Sequence, residues 1–192
     1  MARRSGKVRY IGITGYPLQK LAAIVEKSSI KIDVVLSYCR GTLNDSALGE
    51  YIPIFQKHNV GIINAASLSM GLLTPQGPPA WHPAPDNIKN ACKAAVDYCS
   101  SKNISIARLA NNYSLNFPGV STCLIGAHNA QVVRENLEAS WTDLTELEVR
   151  VRERIMRRYF DPLNNANWEG VELQKYWKKL KALGLGALTT TP

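Results

Sequence analysis

Four places in the sequence gather residues able to hold a phosphate-bearing ligand. They are Thr14-Gly15-Tyr16-Pro17, Ser37-Tyr38-Cys39-Arg40, the stretch Ser67 to Thr74, and Gly126-Ala127-His128-Asn129 with Arg134, Glu135 and Asn136 behind it. Small and hydroxyl-bearing residues dominate, and they let a ligand approach backbone N–H groups, whose free donors attract anions where a helix begins. Ser67–Thr74 and the helix start after Gly126 are therefore candidate phosphate cradles. Ordinary βα turns have the same composition, and spacing alone leaves both readings open. No histidine (His58, His82, His128) stands beside a Cys or carboxylate as a nucleophile's base would. Cys39, Cys92, Cys99 and Cys123 form no CxxC pair, so they read as reduced structural thiols and no metal site is expected.

The elements that must position these residues are legible as apolar runs. Val8–Thr14, Ile32–Tyr38, Val60–Ala66 and Val120–Gly126 are strand-length, β-branched and apolar on both faces, as strands of a buried parallel sheet read. Helical patterns separate them: Pro17–Lys27, Asn44–Lys57, Asn87–Ser101 and Ile104–Leu115. The order βαβαβ(αα)β predicts an α/β fold with right-handed crossovers, whose ligands sit at the carboxyl ends of the strands. Segments 70–86 and 162–170 read as loops. Asp143 is expected to open a further helix, with Glu146 as its capping-box partner. A last amphipathic helix, Val171–Leu183, carries Leu173, Trp177 and Leu180 on one stripe, and 184–192 reads as a frayed end.

With 192 residues, 45% hydrophobic and 20% charged, the chain is ordinary globular material rather than disordered or fibrous. No run approaches the roughly 18 apolar residues of a membrane helix. The basic first residues lead into too short and glycine-broken a stretch for a signal peptide, so a soluble cytoplasmic protein is expected, with no membrane partner. The net charge of +8 favours polyanions. The five arginines of 150–158 and four lysines of 175–181 read as solvated helix faces, and no nucleic-acid motif accompanies them, so no nucleic-acid partner is expected. Tyr10, Tyr38, Trp141, Trp168 and Trp177 are read as packing residues, His58 as a surface cap, and Asp33 as having no catalytic part.

KVRYIGITGYPL (7–18), IDVVLSY (32–38), ASLSMGLLT (66–74) and CLIGAHNAQVVRENLEA (123–139), with WHPA (81–84) and ISIARLA (104–110), together resemble the aldo-keto reductase superfamily. The likeness is strongest to its L-galactose dehydrogenase and D-threo-aldose dehydrogenase branch and spans Gly6 to Phe160. It implies strands five to eight of a (β/α)8 barrel that binds NAD or NADP without a Rossmann fold, plus C-terminal helices. Residues 1–160 would form this partial domain and 161–192 a C-terminal helix and tail.

By the resemblance, Thr14 lies where the family contacts the nicotinamide carboxamide, and Ser37 where a Gln often stands. Ser67, Leu68, Gly71 and Leu72 match the pyrophosphate segment. Gly126, His128, Asn129, Glu135 and Asn136 match the adenosine grip. Ala65-Ala66 replaces an aromatic that stacks on nicotinamide. The family's catalytic Asp, Tyr, Lys and His belong to the first four strands, and no residue here aligns with them. The implied reaction is hydride exchange between nicotinamide and an aldose C1 hydroxyl or an aldehyde, with this chain inactive alone. Two other readings stand beside it: a non-catalytic half-barrel docking, or self-associating, through open sheet edges, and a basic nucleic-acid binder.

Overall fold

The computed structural model describes residues 2–183. Strands β1 (Gly12–Gly15), β2 (Val34–Tyr38), β3 (Gly61–Ala65) and β4 (Thr122–Leu124) form one parallel sheet in that spatial order. Helix α1 (Leu18–Lys27) follows β1, and α2 (Leu48–Lys57) follows β2. Helices α3 (Asp86–Ser101) and α4 (Ile106–Leu115) both lie between β3 and β4. Then come α5 (Ala130–Trp141), α6 (Glu146–Ile155), a π-helical turn at Met156–Phe160, and α7 (Val171–Ala182). Parallel neighbours need helical crossovers, and the spacing of the apolar runs leaves room for one per strand and two after the third. The result is four βα units, half of a (β/α)8 barrel, as expected.

The two sides of the sheet are built differently. Register pairs Val35 with Ile62 and Ser37 with Asn64, so these side chains share one side; Leu36 with Ile63, and Tyr38 with Ala65, share the other. On the first side Val35 and Ile62 pack under Leu18 and Leu21 of α1 and Leu48 and Phe55 of α2, all buried. Each large side chain buried there contributes about 1.5–3 kcal/mol. The opposite side is more open. Val34, Leu36 and Ile63 are half-buried, while Tyr38 and Leu124 are 37% and 60% exposed. A second cluster joins α3, α4 and α6 through Ile88, Cys92, Leu109 and Ile155, and it includes Phe160 and Trp168. Packing thus continues across residue 160, where the sequence suggests a division.

Several expectations are corrected. The first strand begins at Gly12, not Val8. The Asp33 carboxylate accepts the Ile11 N–H at 2.8 Å and Arg3 at 3.0 Å, in front of the paired residues. Edge strands β1 and β4 are not buried on both faces: Gly12, Thr14, Thr122 and Leu124 are exposed. Tyr10 is 69% exposed, Trp141 68% and Trp177 42%, so of the expected packing aromatics Trp168, at 2%, is the one in the core. The helix of 146–155 is capped by Thr145 with Glu148, two residues beyond the Asp143–Glu146 pair. Arg108 sets this register: its Nε donates to Glu148 Oε1 at 2.8 Å and its Nη2 to the Asp143 carbonyl at 3.0 Å. Leu173 and Trp177 of the last stripe face solvent. The expected frayed end lies outside the described residues. His58 does close α2, as its C-cap.

Candidate functional site

The carboxyl ends of the strands hold two polar networks. The first joins the segments after β3 and β4. Ser67, buried, donates from Oγ to Asn111 Oδ1 at 2.6 Å. Asn111 Nδ2 donates to Asn136 Oδ1 at 2.7 Å, and Asn136 Nδ2 reaches the Gly126 carbonyl at 3.4 Å. Helix α4 supplies Asn111 and helix α5 Asn136, so two helices set the distance between the two candidate cradles. Every member is neutral, and the relay runs from a buried serine to an exposed glycine.

Free backbone donors flank this relay. After β3 the chain turns sharply, with positive φ at Ala66 (59°), Ser69 (48°), Met70 (56°) and Gly71 (96°). Three non-glycine left-handed residues within five positions are costly, about 1–3 kcal/mol each, and such geometry concentrates at functional sites. The turn bonds the N–H groups of Ser69, Gly71, Leu72 and Leu73 internally. Those of Ser67 and Leu68 meet no acceptor among the described residues. At α5, Asn129 caps Val132 N–H at 2.9 Å, while Ala130 and Gln131 N–H have no such partner there. Both segments therefore present donors suited to an anion.

The second network is charged and buried. Arg40, 5% exposed, sits with Nε 2.7 Å from Asp45 Oδ2, close but misaligned for a hydrogen bond, and its Nη1 meets Glu169. The Tyr16 ring lies 5.2 Å from the guanidinium and stacks on Trp168 at 5.1 Å. Tyr16 OH accepts the Trp168 N–H at 2.9 Å. His82 meets the Trp168 ring edge-on at 5.0 Å, donates from Nε2 to the Ser69 carbonyl at 3.2 Å, and accepts Ala84 N–H at Nδ1. That pairing describes a neutral imidazole, and burial pushes its pKa down. Burial pushes Asp45 up to about 6 despite Arg40, and pushes Tyr16 up as well. Together these contacts strap segment 161–170 across the ends of β1, β2 and β3.

The sequence-derived residues separate accordingly. Ser67, Gly126 and Asn136 are brought into one hydrogen-bonded relay, with Asn129 at the head of the same helix. Thr14 is exposed at the end of β1, on the open side with Leu36. Leu68 and Gly71 lie in the strained turn, but Leu72 is buried in the core at 1% and offers only backbone. His128 is exposed, and Glu135 accepts from Gln131 at 2.9 Å on the outer surface. Ser37 is fully buried on the helix-covered side, beside Asn64, with Oγ unpartnered; strand alternation turns it away from the open side. Sequence reasoning misses Asn111, Asp45 and Glu169; Tyr16 and Arg40 stand in two of the candidate stretches, but the structure engages them in packing and ion pairing. A trace of Asn111 was available, since Asn111-Asn112 interrupts the apolar stripe of α4. The burial of Arg40 had no such trace. Among the described residues no trio of His, Cys, Asp or Glu could hold a metal, and no helix is long and apolar enough to cross a membrane. The cysteines are free, and burial pushes their thiols up, Cys92 to about 12 and Cys99 and Cys123 to about 11.

Comparison with known proteins agrees with this architecture. Residues 1–156 match the model of the Aldo/keto reductase family. L-galactose dehydrogenase of Arabidopsis thaliana is 44% identical over 147 residues, 76% of this chain and 45% of that protein. D-arabinose 1-dehydrogenase of Saccharomyces cerevisiae is 24% identical over 181 residues, 86% of this chain and 54% of that one. Among solved structures, the holo form of an aldo-keto reductase from Bacillus halodurans superposes with a TM-score of 0.57 at 21% identity, over 80% of this chain and 52% of that one. The glycerol dehydrogenase of Gluconobacter oxydans gives 0.54 at 17% identity, covering 82% and 52%. The chain spans about half the length of the curated relatives it matches. With its family model matched over most of its length and four parallel βα units in place, the chain belongs to the aldo/keto reductase family.

Proposed function

We propose that residues 1–160 carry the dinucleotide-binding half of an NAD(P)-dependent aldose dehydrogenase, and that this half does not turn over alone. The observation that carries the reading is the Ser67–Asn111–Asn136–Gly126 relay, which holds two donor-rich segments in one fixed relation. The donor set fits a dinucleotide. Free N–H groups at Ser67 and Leu68 suit a pyrophosphate, and the segment from Gly126 to Asn136 suits the adenosine end. Thr14, exposed on the open side, is on this reading the residue toward the nicotinamide end. Ser37, Leu72 and Glu135 contribute no side-chain contact on this reading. When bound, the nicotinamide supplies the hydride chemistry, and this chain's residues bind and orient it.

No residue of this chain is assigned general-acid chemistry, whose loss costs about 10²–10⁴-fold in rate. Titration of the purified chain with NAD and NADP, followed by fluorescence, is expected to show binding without aldose oxidation. Absence of binding by a folded chain overturns the reading; turnover with an aldose overturns its second clause.

A second reading, the non-catalytic half-barrel that docks through its edges, is favoured by the open side. Tyr38 and Leu124 are exposed there, and β1 and β4 each pair on one edge only. A two-fold axis along the barrel would set β4 of one copy beside β1 of the other with all strands parallel. Light scattering distinguishes a closed dimer from the 21.2 kDa monomer.

A further inference from the structure

Helix α7 lies beyond the family-matched residues 1–156. At 100° per residue, Leu173, Tyr176 and Trp177 fall within an arc of about 100°. They are 51%, 55% and 42% exposed, an apolar face without a partner among the described residues, on which the Tyr176 and Trp177 rings touch edge-on at 5.2 Å. Lys175, Lys178, Lys179 and Lys181 occupy the opposite arc, all exposed, and Glu172 is the helix's single acid. The helix is tied to the body at its start, where Val171 packs beside the second core cluster. Its apolar face is left outward.

We propose that α7 is a surface anchor for anionic lipid, lying in the plane of the headgroups with Leu173, Tyr176 and Trp177 inserted. Two observations select this occupant. Tyr and Trp combine an apolar body with a polar tip, which suits the boundary between acyl chains and water. Every cation on the helix is a lysine. Lysine is a flexible, well-hydrated point charge matched to a diffuse negative surface, whereas arginine suits the paired carboxylates of a protein groove. The inference is independent of the dinucleotide reading, since α7 contributes no residue to the relay.

The test is co-sedimentation of the full chain with phosphatidylcholine vesicles and with vesicles containing about 30% phosphatidylserine. Binding is expected only to the second, with a blue shift of tryptophan emission that is missing in Trp177→Ala, and release at about 0.5 M salt. Lys178→Gln with Lys179→Gln should weaken binding about 25-fold, or roughly fivefold per lysine. All three residues are exposed, so circular dichroism of the variants should match the parent. Sedimentation with neither vesicle, equal sedimentation with both, or binding unchanged by salt and by the lysine substitutions overturns the proposal. Retention on polyglutamate without vesicle binding would also overturn it, assigning the face to an acidic protein.

Discussion

Two polar networks stand at the same end of one sheet, and they solve opposite problems. The Arg40–Asp45–Glu169 group is charged, centred on a nearly inaccessible guanidinium, and roofed by Tyr16, Trp168 and His82. The Ser67–Asn111–Asn136 relay is neutral and runs outward to solvent. A buried charge must be matched inside the protein, because desolvation leaves it nothing else. A neutral amide can exchange one partner for a ligand at little cost. The first network is therefore built to hold the chain together, whereas the second, on the dinucleotide reading proposed above, is the one that would receive a ligand.

The largest effect should come from breaking the charged network on one side. Arg40→Met leaves Asp45 buried without its counter-charge and should cost about 3–5 kcal/mol in urea unfolding. A loss under about 1 kcal/mol would erase the distinction between the networks. The pH dependence sharpens the same point. The folded pKa of Asp45 is raised to about 6 from an ordinary 3.8, so the folded state binds the proton more tightly than the unfolded. Stability from this group is therefore fully present below about pH 3.8 and is lost as pH rises through about 6, by an amount on the order of 3 kcal/mol in all. Asp33 and Glu148 run the other way. Main-chain and arginine contacts lower Asp33; burial pushes Glu148 up, but Thr145 and Arg108 outweigh it. Because of those two groups, the measurement is the difference between the parent and Asp45→Asn across that window. A difference independent of pH would remove Asp45 from the account.

The neutral relay should behave differently. Asn111→Ala removes its middle member and is expected to lower NAD(P) affinity about tenfold while costing only about 1–2 kcal/mol of stability. Calorimetric titration beside thermal unfolding separates the two, and unchanged affinity would make the relay structural like its neighbour. The smallest effect is expected at the head of α5, where Asn129→Ala removes the cap on Val132 and should cost about 1 kcal/mol. Asn129→Gly, which keeps the cap's backbone freedom, should cost a few tenths.

How legible these networks were differs for a physical reason. The relay's ends could be read because Ser67, Gly126 and Asn136 sit at fixed offsets from apolar runs, and strand-end chemistry is local. Asn111 was missed because it reaches the site from a helix 44 positions beyond Ser67. Arg40 and Glu169 are 129 positions apart, and no periodicity joins them. The error over Tyr10, Tyr38, Trp141 and Trp177 has one cause as well. Aromatic residues were read as buried by type, but burial depends on whether a second layer covers the face that carries them.

By itself the sequence determined the order of strands and helices and their parallel direction. These follow from short-range apolar periodicity and from the handedness of single crossovers. The tertiary structure alone decided which side of the sheet is covered and which residue of each strand faces it. It also decided which carboxylates a buried arginine meets, and that segment 161–170 straps the strand ends. Those outcomes depend on pairs of residues far apart along the chain. Their contact energies exist only once the backbone has brought them within a few ångströms.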